Sequence, residues 1–474
     1  MQAAVSHLSP YSGSWYPEDP SELERLLENL FENSEQRTGP YLAPNAAGFV
    51  VPHAGLIYSG TVAAAAYRHL RAAPPARIVL LGFAHRGAPP GVWIPELDAY
   101  RTPLGEVAVD REALRALLDG GEYRSLPEAV LCDHSVEIQL PLIQRAAPGA
   151  RIVPVYVSHL EAQARAAAAR RLAALIRPGT ILAASSDLTH YGRAFGYQPF
   201  PAHEWVAERL RDLDESVIEA AGSLSPDLFL ATLQTTGSTV CGYDPIALLL
   251  ETLRSLEGDE IFQETLDYQT SGDITGDFKH SVSYGALGYF PSQSFHLGPE
   301  EQALLLASAR QTLEYYVSTG ERKPIPPERI TPGLERRAGA FVTLHGKGDL
   351  RGCVGRRSST EPLWQTVPAL TLAAALEDSR FRPVRKGEAG LEVEISVLSP
   401  FKRLADLGDF RVNQHGALLE AGLHHGLLLP QVATERNWTA QQFLDALAHK
   451  TGVSRDVYRD PSTRVSVFRA QIIQ

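Results

Sequence analysis

Only three cysteines, Cys132, Cys241 and Cys353, occur in the 474 residues. Three well-separated thiols make no disulfide framework, so reduced cysteines and a cytoplasmic location are expected. No apolar run reaches the roughly 18 residues that a membrane-spanning helix needs. The stretch Met1 to Pro10 lacks a basic segment followed by an apolar one, so a secretory leader is not expected. Positive charge is also short: 44 Lys and Arg stand against 55 Asp and Glu, a net charge of -11. Phosphate backbones repel such a surface, which disfavours nucleic acid as a general partner. Internal repeats and low-complexity tracts are missing. So are any CxxC pair and any HExxH helix, so no local motif announces a metal.

What is present is an ordinary globular composition, 44% hydrophobic and 21% charged, in a chain too long for one core. Ser21-Glu22-Leu23-Glu24 reads as a capping box, followed by Leu23, Leu26, Leu27, Leu30 and Phe31 on one helical stripe. Short aliphatic runs at Gly48 to Val51, Ile78 to Leu81, Ile152 to Val157 and Ile181 to Ala184 read as buried strands. Helices are expected at Thr61 to Arg71, Arg111 to Leu118, Glu161 to Ile176, Glu204 to Ala221 and Pro245 to Leu256. Strands alternating with helices predict an α/β layered domain with a largely parallel sheet over residues 1 to 290. The polar, proline-containing stretch 291 to 298 reads as a linker. Residues 299 to 474 then read as α+β, with helices at Pro299 to Thr319, Glu361 to Leu376 and Thr439 to Lys450. Strands are expected there at Gly339 to Leu344 and Leu391 to Leu398.

Three predicted strands end in polar groups. His53 follows the first, His85 the second, and Asp187 with His190 the last. Ligands of open α/β sheets bind beyond the carboxyl ends of the strands, so these residues can converge without a local motif. Taken singly, each histidine reads equally as a packed, hydrogen-bonded side chain. Cys241 stands just before a predicted helix. A helix N-terminus lowers a thiol pKa, but a free cysteine is commonly a small buried hydrophobe. Spacing alone does not join Cys241 to His53 and His85.

The motifs themselves go further. Gly13-Ser14-Trp15-Tyr16, Pro52-His53-Ala54-Gly55, Leu81-Gly82-Phe83-Ala84-His85, Asp133-His134-Ser135-Val136-Glu137, Ser185-Ser186-Asp187-Leu188-Thr189-His190 and Cys241-Gly242 occur in this order. Together with Tyr100-Arg101-Thr102-Pro103-Leu104-Gly105 they resemble the Memo family, although that family often has Pro-Ser where Phe83-Ala84 stand. The resemblance implies a fold like the class III extradiol dioxygenases. It also implies a metal held by His53, His85 and Cys241, with cysteine replacing the glutamate of those enzymes. Asp187 and His190 would line the pocket, and His134 and Glu137 would hold ligand histidines from behind. Iron as Fe(II) is the metal the resemblance favours; copper and zinc suit the same donors.

In the second half, Leu350-Arg351-Gly352-Cys353-Val354-Gly355 resembles the signature of the AMMECR family. Asp378-Ser379-Arg380-Phe381-Arg382-Pro383 supports it, with Ser379 where that family usually has proline. Glu394 to Ser399 and Leu429 to Ala433, with Glu435 and Trp438, add to the match. Gly352 and Gly355 are expected to permit a close approach or a turn with positive φ, and Arg351 to grip an anion. A cleft of Arg351, Cys353, Asp378 and Glu435 is the functional expectation. A strand and tight turn around a buried Cys353 is the structural one. His415, His424 and His425 are a weak metal candidate, because adjacent histidines on a strand face opposite sides.

The paired resemblance matches components B and A of the AmmeMemoRadiSam system. It implies a metal-dependent, oxidoreductase-like protein working with a radical S-adenosylmethionine partner. A stand-alone extradiol-type dioxygenase, a zinc hydrolase and a non-enzymatic module binding a peptide or anion remain the alternatives.

Overall fold

The structure is a computed structural model and describes residues 5–202, 205–257 and 260–474. It divides into two compact units, Met1–Pro291 and Ser292–Gln474. Among the described residues no helix is long and apolar enough to cross a membrane.

The first unit is α/β. Its nine-stranded sheet has a parallel centre in the order Gly48–Val51, Thr180–Ser185, Arg77–Phe83, Arg151–Ser158. These are the aliphatic runs, and they are buried because both faces are covered. The two sides of this centre join it antiparallel. His280–Pro291 pairs with Gly48–Val51 on one side, and Gly91–Glu96 with Arg151–Ser158 on the other. The sheet is therefore mixed, with a further parallel pair, Gly91–Glu96 and Tyr123–Pro127, at one edge. The long hairpin Ile261–Thr270 with His280–Pro291 escaped the sequence reading. A register shift between Thr265 and Asp267 breaks the two-residue alternation that marks a strand.

Several helix starts differ from expectation. The first helix, Pro20–Thr38, is capped by Asp19, whose carboxylate accepts from Glu22 N at 2.9 Å, with Pro20 in the first turn. Ser21 therefore lies inside the helix and is not its cap. An Asp19→Ala change is expected to cost about 1 kcal/mol, the usual worth of such a cap. Hydrogen exchange of the first-turn amides reads it directly, and unchanged protection there would contradict the assignment. The second helix, Leu56–Ala72, begins five residues before the expected Thr61. Gly60 is in its first turns because a Cβ there would stand 2.6 Å from Leu30 Cδ1, so the glycine admits the neighbouring helix. The helix expected from Glu204 runs over Val206–Gly222, and Glu204 itself lies outside the described residues.

The second unit is α+β. One four-stranded sheet is ordered Asp349–Arg356, Ala340–Gly346, Leu391–Leu398, Ala470–Ile473. Its inner face packs Val342, Leu344, Val393 and Ile395 against Leu305, Ala309 and Leu313 of helix Pro299–Thr319 and Val367 and Leu370 of helix Leu363–Leu376. A second sheet, Lys402–Arg403, Arg464–Phe468, Gly416–Ala421, His424–Leu428, packs on helix Ala440–Thr451. The stretch 291 to 298 carries a short 3-10 turn, Ser292–Phe295, and both Phe295 and Leu297 are buried.

Candidate metal centre

The carboxyl ends of the parallel strands bring the first-unit candidates together. His53 follows Gly48–Val51 and is 2% exposed. Its backbone N–H donates to Asp187 Oδ1 at 2.7 Å, tying the first strand end to the last. Its Nδ1 lies 3.1 Å from Ser185 Oγ, while Nε2 faces Cys241 Sγ at 3.1 Å. The ring is thus held from behind at one nitrogen and offers the other to the thiol. Cys241 reaches this point because Gly242 packs against the Thr180–Ser185 strand end, where a Cβ would stand 2.6 Å from Ser186 Cβ.

His85 follows Arg77–Phe83 and is exposed at the mouth. Asp133 accepts from its backbone N–H at 2.9 Å and lies 3.4 Å from its Nδ1, again leaving Nε2 free. His134 completes the cluster. Its ring centroid is 4.4 Å from that of His85 and 5.1 Å from that of His53, with Trp15 covering it at 4.8 Å. Two donor groups, His53–His85–His134 and His53–Asp187–Cys241, each have their ligand atoms within 4.8 Å of one another. His53 belongs to both. The expected trio His53, His85 and Cys241 is therefore split between two overlapping groups.

Burial sets the electrostatics. It lowers His53 to about 3, helped by the His85 charge, and lowers His134 to about 3, helped by His53 and His85. Both imidazoles are neutral near pH 7, as metal ligation requires. Burial, then the Asp187 charge, pushes the Cys241 thiol up. The lowering expected from the following helix is overridden, because desolvation disfavours a thiolate. Burial also raises Asp187, although His190 and the His53 N–H oppose it. At Asp133 burial is outweighed by bonds from His85 and Ser135, which hold the carboxyl low.

Two expected roles change. Glu137 is fully buried, but its Oε1 bonds His7 Nε2 at 3.1 Å and holds no ligand histidine. Asp133 and Ser185 do that work instead. His134 presents its ring to the donors rather than standing behind them. The sequence signal for Asp133 is its place directly before His134; the same carboxylate also caps the short helix His134–Glu137, accepting from Ser135 N at 2.9 Å. His190 lies beside the group, its Nδ1 3.2 Å from the carbonyls of Leu188 and Thr239.

In the second unit part of the expected cleft, Cys353 with Asp378, is brought together. Arg351 is clamped by Glu388, through Nε at 2.7 Å and Nη2 at 3.2 Å, so it is not free to grip an anion. Asp378 accepts from Cys353 N at 2.8 Å and is held low chiefly by Arg380. Glu435 is exposed on helix Gln431–Arg436. Cys353 is half-buried and accepts from Thr343 Oγ1 at 3.3 Å. His415, His424 and His425 form no potential metal group among the described residues.

Residues 9–288 match the Memo-like protein family, and residues 306–473 match the AMMECR1 family. The chain belongs to the Memo family, fused in one polypeptide to an AMMECR1 domain. It is 32% identical over 287 residues to the MEMO1 family protein MTH_45 of Methanothermobacter thermautotrophicus, covering 58% of this chain and 97% of that one. It is 30% identical over 292 residues to the memo-1 homolog of Caenorhabditis elegans, covering 58% of this chain and 80% of that one. A further protein of Methanothermobacter thermautotrophicus is 39% identical over 183 residues, covering 37% of this chain and 95% of its own.

Proposed function

We propose that the Memo unit holds one non-heme iron ion at His53, His85 and Cys241, with His134 and Asp187 beside it, and serves as an oxidoreductase-like component. The observation that carries this is the 3.1 Å approach of His53 Nε2 to Cys241 Sγ, with the far nitrogen of the same ring already held by Ser185. A histidine fixed from behind and facing a thiol is the arrangement that a soft-to-borderline divalent metal requires.

Bound iron would supply a Lewis acid with open positions for O2 or substrate. The chain's residues do the rest. Nδ1 of His190 lies against two carbonyls, which fixes its proton there and leaves Nε2 able to accept one. Asp187, raised by burial, steadies the His53 backbone. Trp15, whose ring packs on His134 with centroids 4.8 Å apart, also lines a cavity of about 650 Å³ with Tyr16, Gly55 and Tyr58, room for a substrate body. The link to a radical S-adenosylmethionine partner rests on the union of Memo and AMMECR1 units in one chain. Copper or zinc on the same donors would instead suit a binding module or a hydrolase.

The deciding measurement is elemental analysis with EPR on anaerobically purified protein, before and after nitric oxide. About one iron per chain and a ferrous-nitrosyl signal are expected from a site with an open position. Zinc, or no metal after metal-replete expression, would overturn the reading.

Metal uptake is also expected to depend on pH in a specific way. Above pH 7 His53 and His134 are already neutral, and the Cys241 proton must leave for the thiol to ligate. The apparent affinity should rise by about one log unit per pH unit between about pH 7.5 and 9. Chelator competition at several pH values measures the slope. A flat profile would remove the thiol from the donor set.

A further inference from the structure

The metal centre uses the carboxyl ends of the parallel strands and leaves their amino ends without a role. There the first unit has a second cavity, of about 940 Å³. Ala47, just before strand Gly48–Val51, and Ile181, at the start of strand Thr180–Ser185, form part of its wall. The two strands run parallel, so this wall lies at the sheet edge opposite His53 and Asp187. Backbone bonds pin it. The Ala47 N–H donates to Tyr289 O at 2.8 Å, and Gly179 O accepts from the N–H of Ala76 at 2.9 Å and of Arg77 at 3.1 Å. Pro44, Pro74, Pro75 and Pro178 fix φ in the loops between. The cavity is therefore preformed, and it is within the usual size of small-molecule sites.

His69 lines this cavity from helix Leu56–Ala72 and is only 8% exposed. Its ring packs on Phe49 and Phe290, at centroid distances of 5.8 and 5.1 Å. Its Nδ1 lies 3.0 Å from the Ala43 carbonyl. A carbonyl only accepts, so Nδ1 carries the proton and Nε2 keeps a lone pair. Burial lowers the ring to about 4, so it is neutral near pH 7. Among the described residues no donor meets Nε2. A buried acceptor left open on an apolar wall is incompletely satisfied, and a hydroxyl placed against it completes it. Charge does not suit the site. No Asp or Glu is among the described lining residues, so an ammonium donor would go unpaired. A carboxylate would meet the Nε2 lone pair. Arg177, on the rim, is exposed and donates to the Ile176 carbonyl at 2.8 Å.

We infer that this cavity binds a small neutral molecule of the apolar alcohol class, whose hydroxyl donates to His69 Nε2. Leu70, Ile181 and Ile261 supply the apolar contact for its body. The inference does not depend on the metal centre.

The test is isoleucine-methyl NMR titration of the full chain with benzyl alcohol, toluene, benzylamine and benzoate, which share a ring and differ in the attached group. Benzyl alcohol is expected to saturate one site about fivefold more tightly than toluene, the worth of one net hydrogen bond. Benzylammonium and benzoate should bind more weakly than benzyl alcohol. The methyls of Ile181 and Ile261 should shift, and that of Ile395 in the second unit should not. In His69→Phe the fivefold advantage should vanish while toluene still binds, and in His69→Gln, whose amide oxygen accepts, part of it should return. Where His69→Phe fails to fold, the matched ligands and the methyl shifts of the unaltered chain decide. No binding of benzyl alcohol up to about 10 mM, weak even for a fragment-sized ligand, would overturn the inference. So would toluene, benzylammonium or benzoate equalling it, an advantage that survives His69→Phe, or shifts that bypass Ile181 and Ile261.

Discussion

Cys241→Ala is expected to empty the Memo unit of metal, weakening its affinity by at least about 100-fold. Loss of one outer hydrogen-bond partner of a ligand alone costs roughly 10- to 100-fold, and loss of a donor costs more. His53→Ala should do the same, because His53 belongs to both donor groups. Asp133→Ala should fall in the roughly 10- to 100-fold range, since it releases Nδ1 and the backbone of His85 without removing a donor. Glu137→Gln should leave the affinity within about threefold, as its bond goes to His7 and no ligand loses a partner. Elemental analysis and chelator competition on the four variants rank them. Stoichiometric metal in Cys241→Ala and His53→Ala together would refute the ligand assignment, and a large loss in Glu137→Gln would restore that residue to the metal's support.

This ranking separates what the sequence disclosed from what only the fold could. His53, His85 and Asp187 were legible because each follows an aliphatic run that could only be a buried strand, and parallel strands share a carboxyl edge. Cys241 was not legible on spacing, since 188 residues separate it from the ring it faces. The motif order supplied it. Asp133 and Ser185 were missed as supports because nothing in a linear sequence says which nitrogen of a histidine is turned inward. Glu137 was misplaced for the same reason: one turn after His134 on the short helix His134–Glu137, its side chain goes to His7. Arg351 shows the reverse error. Its charge suggested an anion, but Glu388, 37 residues away, satisfies its guanidinium with two bonds. Charge complementarity across loops has no sequence period, so a cation's availability is a tertiary fact.

Gly352→Val is expected to destabilise the second unit by about 3 kcal/mol or more, at the upper end of what overpacking costs. Gly352 lies on strand Asp349–Arg356, where a Cβ would stand 2.2 Å from the carbonyl oxygen of Ala374 in helix Leu363–Leu376. A backbone oxygen cannot rotate away as a side chain can, so strand and helix must separate. That separation would open the contacts of Val354, Val367 and Leu370 and strain the bond from Cys353 N to Asp378. Neither Gly352 nor Gly355 has positive φ; the left-handed residues of this hairpin are Lys347 and Gly348. The signature's glycines therefore serve close approach and not a turn, and this dictates which measurement discriminates. Amide exchange in Asp349–Arg356 and Leu363–Leu376 should accelerate by about 100-fold, the equivalent of that energy, while the metal content of the Memo unit stays the same. Gly348→Ala instead strains only the turn and should cost about 1 kcal/mol. Equal effects of the two substitutions would mean that the strand does not need its glycine for the helix, and the steric account of the signature would fail.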